Sequence, residues 1–232
     1  MLEALAQQPR LQLHRQVIHH QKNSITMPTS TVSPEAYRVL QFWLGDGLQL
    51  GWPSHDMKER WFKGGAALDR QIKDEFGELL LAALRGELQE WEALPLNRLG
   101  LVILLDQFSR NMFRGEAQAF AGDDQAQRLS LKTLGQADEL SLPWVGRAFL
   151  YMPLMHAENM EMQRECVRCF EGLLAQAPEL LKKQLEGNLA FARQHEAIIT
   201  RFGRFPYRNA VLGRRNTPAE ELFLTTGPRF GQ

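Results

Sequence analysis

The sequence has no net charge: 27 lysines and arginines balance 27 acids. No global field therefore draws the chain to nucleic acid or to an anionic membrane. It also lacks a long apolar run. The longest candidate, residues 99–105, is far short of the roughly 20 residues of a membrane span and reads as a buried core segment. No apolar stretch follows a basic start, so no signal peptide is visible. Period-2 alternation long enough for a strand is missing, as is an internal repeat near 34 residues. No glycine-rich phosphate loop, no H-E-x-x-H and no G-x-S-x-G occurs. Cysteine is scarce, and the two present, Cys166 and Cys169, form C-x-x-C. A redox motif of this kind sits at a helix N-terminus, where the dipole lowers the thiol pKa. Here Met162, Cys166, Cys169, Phe170, Leu173 and Leu174 share one apolar helical stripe, which predicts core packing. Zinc would need two further ligands, and no nearby pair supplies them. No metal or cofactor is expected, and the reduced thiols fit a cytoplasmic protein.

What is present is ordinary for a globular chain: 44% apolar and 23% charged residues, enough to bury a sizeable core. Residues 1–32 differ. They hold His14, His19 and His20, many glutamines, and the basic residues Arg10, Arg15 and Lys22 against the single acid Glu3. That composition fits a transit peptide, but the preferred expectation is a poorly packed extension or a start codon placed too early. Residues 33–226 are expected to form one helical domain, and 227–232 a loose tail.

Helical periodicity runs through nearly all of 33–226. Ser33-Pro34-Glu35 caps and opens a helix to about Leu44. Further helices are expected over 66–84, over 96–113, from a cap at Asp123 to about Leu134, from Pro143 to a bend or end at Pro153, over 158–177, and from Pro178 to a stop at Gly203. Thr217-Pro-Ala-Glu220 is a capping box. Short connections argue for antiparallel packing, and the fold class read here is all-α with stacked antiparallel helix pairs.

Polar groups set into apolar stripes are the informative residues, because burial alone does not explain them. The apolar run ends in Asp106, with Asp106/Arg110, Arg110/Arg114 and Gln107/Asn111 at i, i+4. His156 and Glu158 follow Pro153. Asn188 and His195 share the inward face of the long helix. Between Ala197 and Ala219 stand Arg201, Arg204, Arg208, Arg214 and Arg215 with no acid, an arrangement suited to bidentate capture of carboxylate or phosphate. Phe202, Phe205 and Tyr207 interleave with them, compatible with stacking on a nucleobase. Each group also has a structural reading: an ion pair anchoring a helix, a helix-dipole glutamate, a satisfied core histidine, a solvated loop.

Four segments carry a resemblance. They are Phe42-Trp-Leu-Gly45, Leu105-Asp-Gln-Phe-Ser-Arg-Asn-Met-Phe-Arg114, Phe149-Leu-Tyr-Met-Pro-Leu-Met-His-Ala-Glu158, and Arg201-Phe-Gly-Arg-Phe-Pro-Tyr-Arg-Asn-Ala-Val-Leu-Gly-Arg214 with Thr217-Pro-Ala-Glu220 after it. Over about residues 35–224 the chain resembles the bacterial domain of unknown function family numbered 924. It departs from the family pattern at Ser109, Ala157 and Tyr207, where proline, serine and histidine are usual. The resemblance implies an all-helical fold similar to a right-handed tetratricopeptide-like superhelix and no established activity. Its polar motif positions are Asp106, Gln107, Arg110, Asn111, Arg114, His156, Glu158, Arg204, Arg208, Asn209 and Arg214. Together with His195 these are the candidate ligand-binding residues. We expect Asp106, Arg110, His156, Glu158, His195 and Arg204 to converge on one polar cavity. Three functions compete: a module binding an anionic small molecule or peptide, an enzyme using Asp106, His156, Glu158 or His195 as acid or base, and an RNA-associated protein using residues 201–215. The oligomeric state is not legible.

Overall fold

The computed structural model describes residues 31–228. The readings for residues 1–30 and 229–232 lie outside that range. Ten α-helices and no strand occur among the described residues. Helix α1 (Pro34–Leu44) begins as its sequence dictates: Ser33 accepts a hydrogen bond from Ala36 N, and Pro34 occupies a first-turn position where its missing N–H costs nothing. The short α2 (Gly47–Leu50) follows. A π-helical turn at Glu59–Lys63 then leads to α3 (Ala66–Leu84). This turn is strapped to α1 by two bonds: Trp61 Nε1 donates to the Trp43 carbonyl at 2.8 Å, and Arg60 donates to the Phe42 carbonyl at 3.1 Å.

The centre of the fold is a continuous rod: α4 (Pro95–Val102), a π-helical segment (Ile103–Phe108) and α5 (Ser109–Met112). Every residue from Asn97 to Ser109 is buried. Helix α1, α3, α6 (Asp123–Gly135) and α7 (Trp144–Met155) surround the rod, which explains its apolar character on all faces. The sequence predicts one regular α-helix here. The observed π segment instead widens the turn where the run passes from Leu105 to Asp106. Single π turns inside α-helices concentrate at functional sites.

Three more readings are corrected. Asp123 does not cap α6: Gly122 holds that position, and the Asp123 carboxylate turns inward to two arginines. Of the two outcomes expected at Pro153, a bend or an end, the end is not observed: α7 runs through it to Met155 and is C-capped by His156. Glu158 is not in the first turn of α8 (Met160–Gln176), whose N-cap is Asn159. Helices α7, α8 and α9 (Glu179–Phe202) fold back on one another through short connections. Cys166 and Cys169 lie buried between them as free thiols, and burial pushes both upward, Cys169 to about 12. Gly203 ends α9 at φ +69°, a conformation glycine adopts without strain. Beyond it, residues 204–217 wrap back over Ile198, Ile199 and Phe205. Helix α10 (Pro218–Thr226) then opens with the full Thr217/Glu220 capping box.

Candidate functional site

A cavity of about 430 Å³ lies where the C-terminal end of the rod meets the end of α7 and the middle of α9. That volume is in the range of small-molecule sites. The π turn at Glu59–Lys63 and the loop around Phe120 form two further walls, and Tyr207 and Val211 a third.

Asp106 organises the polar wall. Its side chain is 1% exposed, yet three groups converge on the carboxylate. His156 Nδ1 lies 2.7 Å from Oδ1, Gln107 Nε2 2.6 Å from Oδ2, and Arg110 Nη1 3.1 Å from Oδ1. Burial alone would raise this carboxyl, but Arg110, His156 and Gln107 outweigh it and hold it well below the usual range. Asp106 is therefore ionised. An ionised carboxylate only accepts hydrogen bonds, so His156 Nδ1 and Gln107 Nε2 must both donate.

His156 is pushed below its ordinary value by burial. Asp106 pulls it upward without offsetting that, and the Arg110 cation adds to the depression. Neutral at pH 7 and protonated on Nδ1, the ring carries its lone pair on Nε2. That nitrogen has no protein partner among the described residues, and the ring lines the cavity. His195 stands beside it with ring centroids 6.2 Å apart, its Nδ1 bonded to the Phe191 carbonyl at 2.8 Å. Burial drives His195 down to about 3, so it too is neutral.

Arg110 bridges the rod to α6. Its guanidinium bonds Asp123 in bidentate fashion at 2.9 and 3.0 Å and also donates to the Asp106 carbonyl at 2.8 Å. Arg208 shares Asp123 at 3.5 Å and lies 4.6 Å from the ring centroids of both Phe120 and Phe205. Arg114 lines the cavity while holding Asp69 through two bonds, at 2.8 and 2.9 Å, and Asn111 at 3.1 Å. Asn111 in turn donates to the Gln107 carbonyl at 2.9 Å.

The structure thus brings Gln107, Arg110, Asn111, Arg114, His156 and His195 to one cavity, with Asp106 directly behind them. It does not bring Glu158, Arg204, Arg208, Asn209 or Arg214 to that lining. Glu158 accepts from Phe205 N at 2.8 Å and from both terminal nitrogens of Arg214, fastening the returning segment. Arg204 bonds Glu220 at 2.6 and 2.8 Å, on the α10 side of the chain. Asn209 donates to Asn216 Oδ1 at 2.8 Å, seven residues on. The predicted convergence holds for Asp106, Arg110, His156 and His195, and fails for Glu158 and Arg204, which instead fasten the segment after α9 through Arg214 and Glu220.

Sequence reasoning missed two groups. Asp123 looked like a helix cap, since an acid before an amphipathic run is the usual sign of one. The aromatic wall, Trp61, Phe62, Phe120 and Phe191, gave no periodic signal, because these residues come from three different segments. Phe62 and Phe191 stack at 6.4 Å and are half exposed at the cavity mouth. Among the described residues no cluster of histidine, cysteine or acid is placed to hold a metal ion.

Fold and site together define an all-helical domain built around a buried Asp–His pair beside a cavity walled in part by aromatic rings. The family described as bacterial protein of unknown function (DUF924) matches residues 39–228, and the chain belongs to that family. The chain is also similar to the solved structure of a protein of unknown function, ATU0120 from Agrobacterium tumefaciens. The two share 32% sequence identity with a TM-score of 0.69, over 83% of this chain and 97% of that one. No curated protein matches the chain. No helix among the described residues is long and apolar enough to cross a membrane.

Proposed function

We propose that the cavity binds a small organic molecule with a largely apolar body, and that His156 takes a proton from it or from a water beside it. The protein is then an acid–base enzyme. One observation carries this reading: a neutral imidazole is oriented by a buried carboxylate 2.7 Å from Nδ1 and carries its lone pair at the cavity wall. This is the arrangement a general base needs, because the carboxylate fixes the tautomer and steadies the imidazolium that forms. Arg110 and Gln107 fix Asp106 in turn. His195, also neutral, lines the same cavity beside His156.

Capture of an anion is the second reading, favoured by Lys63, Arg110 and Arg114 among the lining residues against the single acid Glu116. Its weakness is that Arg110, Arg114, Arg204, Arg208 and Arg214 all pair with carboxylates of the same chain. Of the three rings that the RNA reading offers for stacking, Phe202, Phe205 and Tyr207, Phe205 is fully buried. A cytoplasmic setting remains part of the proposal, in keeping with two unbridged thiols. So does a tetratricopeptide-like superhelix, in keeping with the sequential packing of α7, α8 and α9.

The test is incubation of the pure protein with a bacterial metabolite extract, followed by mass spectrometry of what is consumed. The expected result is one or a few compounds whose consumption falls at least about 100-fold in His156→Ala, the usual contribution of a positioned base. Circular dichroism of the variant should be unchanged. Consumption indifferent to His156, or none at all, leaves the cavity a binding site without this chemistry.

A further inference from the structure

The hydrogen-bond polarity of the cavity wall is dictated by one atom pair that no ligand touches. Asp106 Oδ1 and Oδ2 accept from His156 and Gln107 respectively. Gln107 Nε2 also lies 3.5 Å from Met152 Sδ, so its donor end is fully engaged inward. The amide cannot be reversed, because its oxygen would then face an ionised carboxylate. Gln107 Oε1 is left without a protein partner among the described residues. His156 Nε2 is in the same position. Two acceptors, each fixed through one oxygen of the same carboxylate, therefore belong to residues that line a cavity also walled by Trp61, Phe62, Phe120 and Phe191.

From this we propose that the molecule bound here presents a neutral O–H or N–H donor to His156 Nε2 and Gln107 Oε1, with a flat apolar body held by Trp61, Phe62, Phe120 and Phe191. The inference rests on the reading that this cavity is the ligand site. A carboxylate or phosphate would set its lone pairs against two acceptors. The lining guanidiniums could help it only by releasing their own acids, Arg110 from Asp123 and Asp106 and Arg114 from Asp69. An ammonium ion could donate, but it would enter past Lys63 and Arg114 and rest near Arg110. An ether or ketone offers no donor and would leave both acceptors unsatisfied by the ligand, which costs affinity. A neutral donor alone satisfies the wall without disturbing the ion pairs behind it. Such a group is also a proton source for His156.

Four compounds on one ring system separate these cases: naphthol, its methyl ether, naphthoate and naphthylmethylammonium, each titrated calorimetrically into the full-length protein at neutral pH. Naphthol should bind at least about tenfold tighter than each of the other three, about 1.4 kcal/mol. The preference over the ether should shrink to about twofold in Gln107→Met and in His156→Phe. Comparable affinity for naphthol and its ether, tightest binding of naphthoate or of the ammonium compound, or no saturable binding by any of the four overturns the proposal. These outcomes are read on unmodified protein and need no variant to fold. A protein that prefers naphthol yet consumes no metabolite retains this inference and loses the acid–base reading. His156-dependent turnover combined with tightest binding of naphthoate does the reverse.

Discussion

An Asp106→Ala variant is expected to lose about 3–5 kcal/mol of stability, a fall in Tm on the order of 10 °C for a domain of this size. The removed carboxylate has almost no exposure and three partners. Arg110 keeps Asp123 and the Asp106 carbonyl, so its charge remains partly compensated. His156 Nδ1–H and Gln107 Nε2–H lose their acceptor outright, and unsatisfied buried donors cost about 1–3 kcal/mol each. Asp106→Asn should cost less, because its carbonyl can still accept one of the two bonds. It should nonetheless disturb the site, since its NH₂ faces a second donor and forces Gln107 or His156 to reverse. Thermal or urea unfolding checks the first variant. A loss below about 1 kcal/mol would mean that the cluster contributes little to folding.

The second large effect is expected at Gly122. A Cβ at this position would lie 2.6 Å from the Leu105 carbonyl oxygen and 3.1 Å from Leu105 Cα and Cβ. The obstacle is the backbone of the π segment, which cannot swing aside as a flexible side chain does. Gly122→Ala should therefore push α6 off the rod and destabilise by about 2–3 kcal/mol, at the upper end of overpacking costs. The displacement would also draw Asp123, the next residue, away from Arg110 and Arg208. Differential scanning calorimetry reads the stability change. A Gly122→Ala protein as stable as the parent would show that the α6–rod contact is not tight.

These two positions mark what a sequence can and cannot disclose here. Asp106 was legible because a charge at the end of an all-apolar run has no packing rationale. His156, Arg110 and His195 were legible for related reasons, each polar on a buried face. The arginines of residues 201–215 were legible as a cluster but not as a function. Their partners Asp123, Glu158 and Glu220 lie outside that segment, so the stretch read as an open cationic surface. Glu158 and Arg214 are separated by 56 residues, and no local pattern predicts their pairing. The π segment was equally hidden, since its composition does not differ from that of a buried α-helix. The helices themselves were readable wherever a cap or a glycine stop stood in the chain, at Ser33, Gly203 and Thr217. The aromatic wall was not, because proximity between Phe62 and Phe191 is a property of the packed helices alone.

Burial keeps His156 neutral, and Asp106 fixes its proton on Nδ1, leaving the Nε2 lone pair at the cavity. Burial lowers this histidine, so the folded state disfavours its charged form. The contribution to stability is full above the unfolded value of about 6.5 and is lost as pH falls below it. Long-range proton–nitrogen NMR of the imidazole rings through a pH titration, with His156 assigned from the signal missing in His156→Gln, measures tautomer and midpoint together. The expected result is the Nδ1–H tautomer at neutral pH and a midpoint below 6.5. An Nε2–H tautomer, or a midpoint above 6.5, would contradict it.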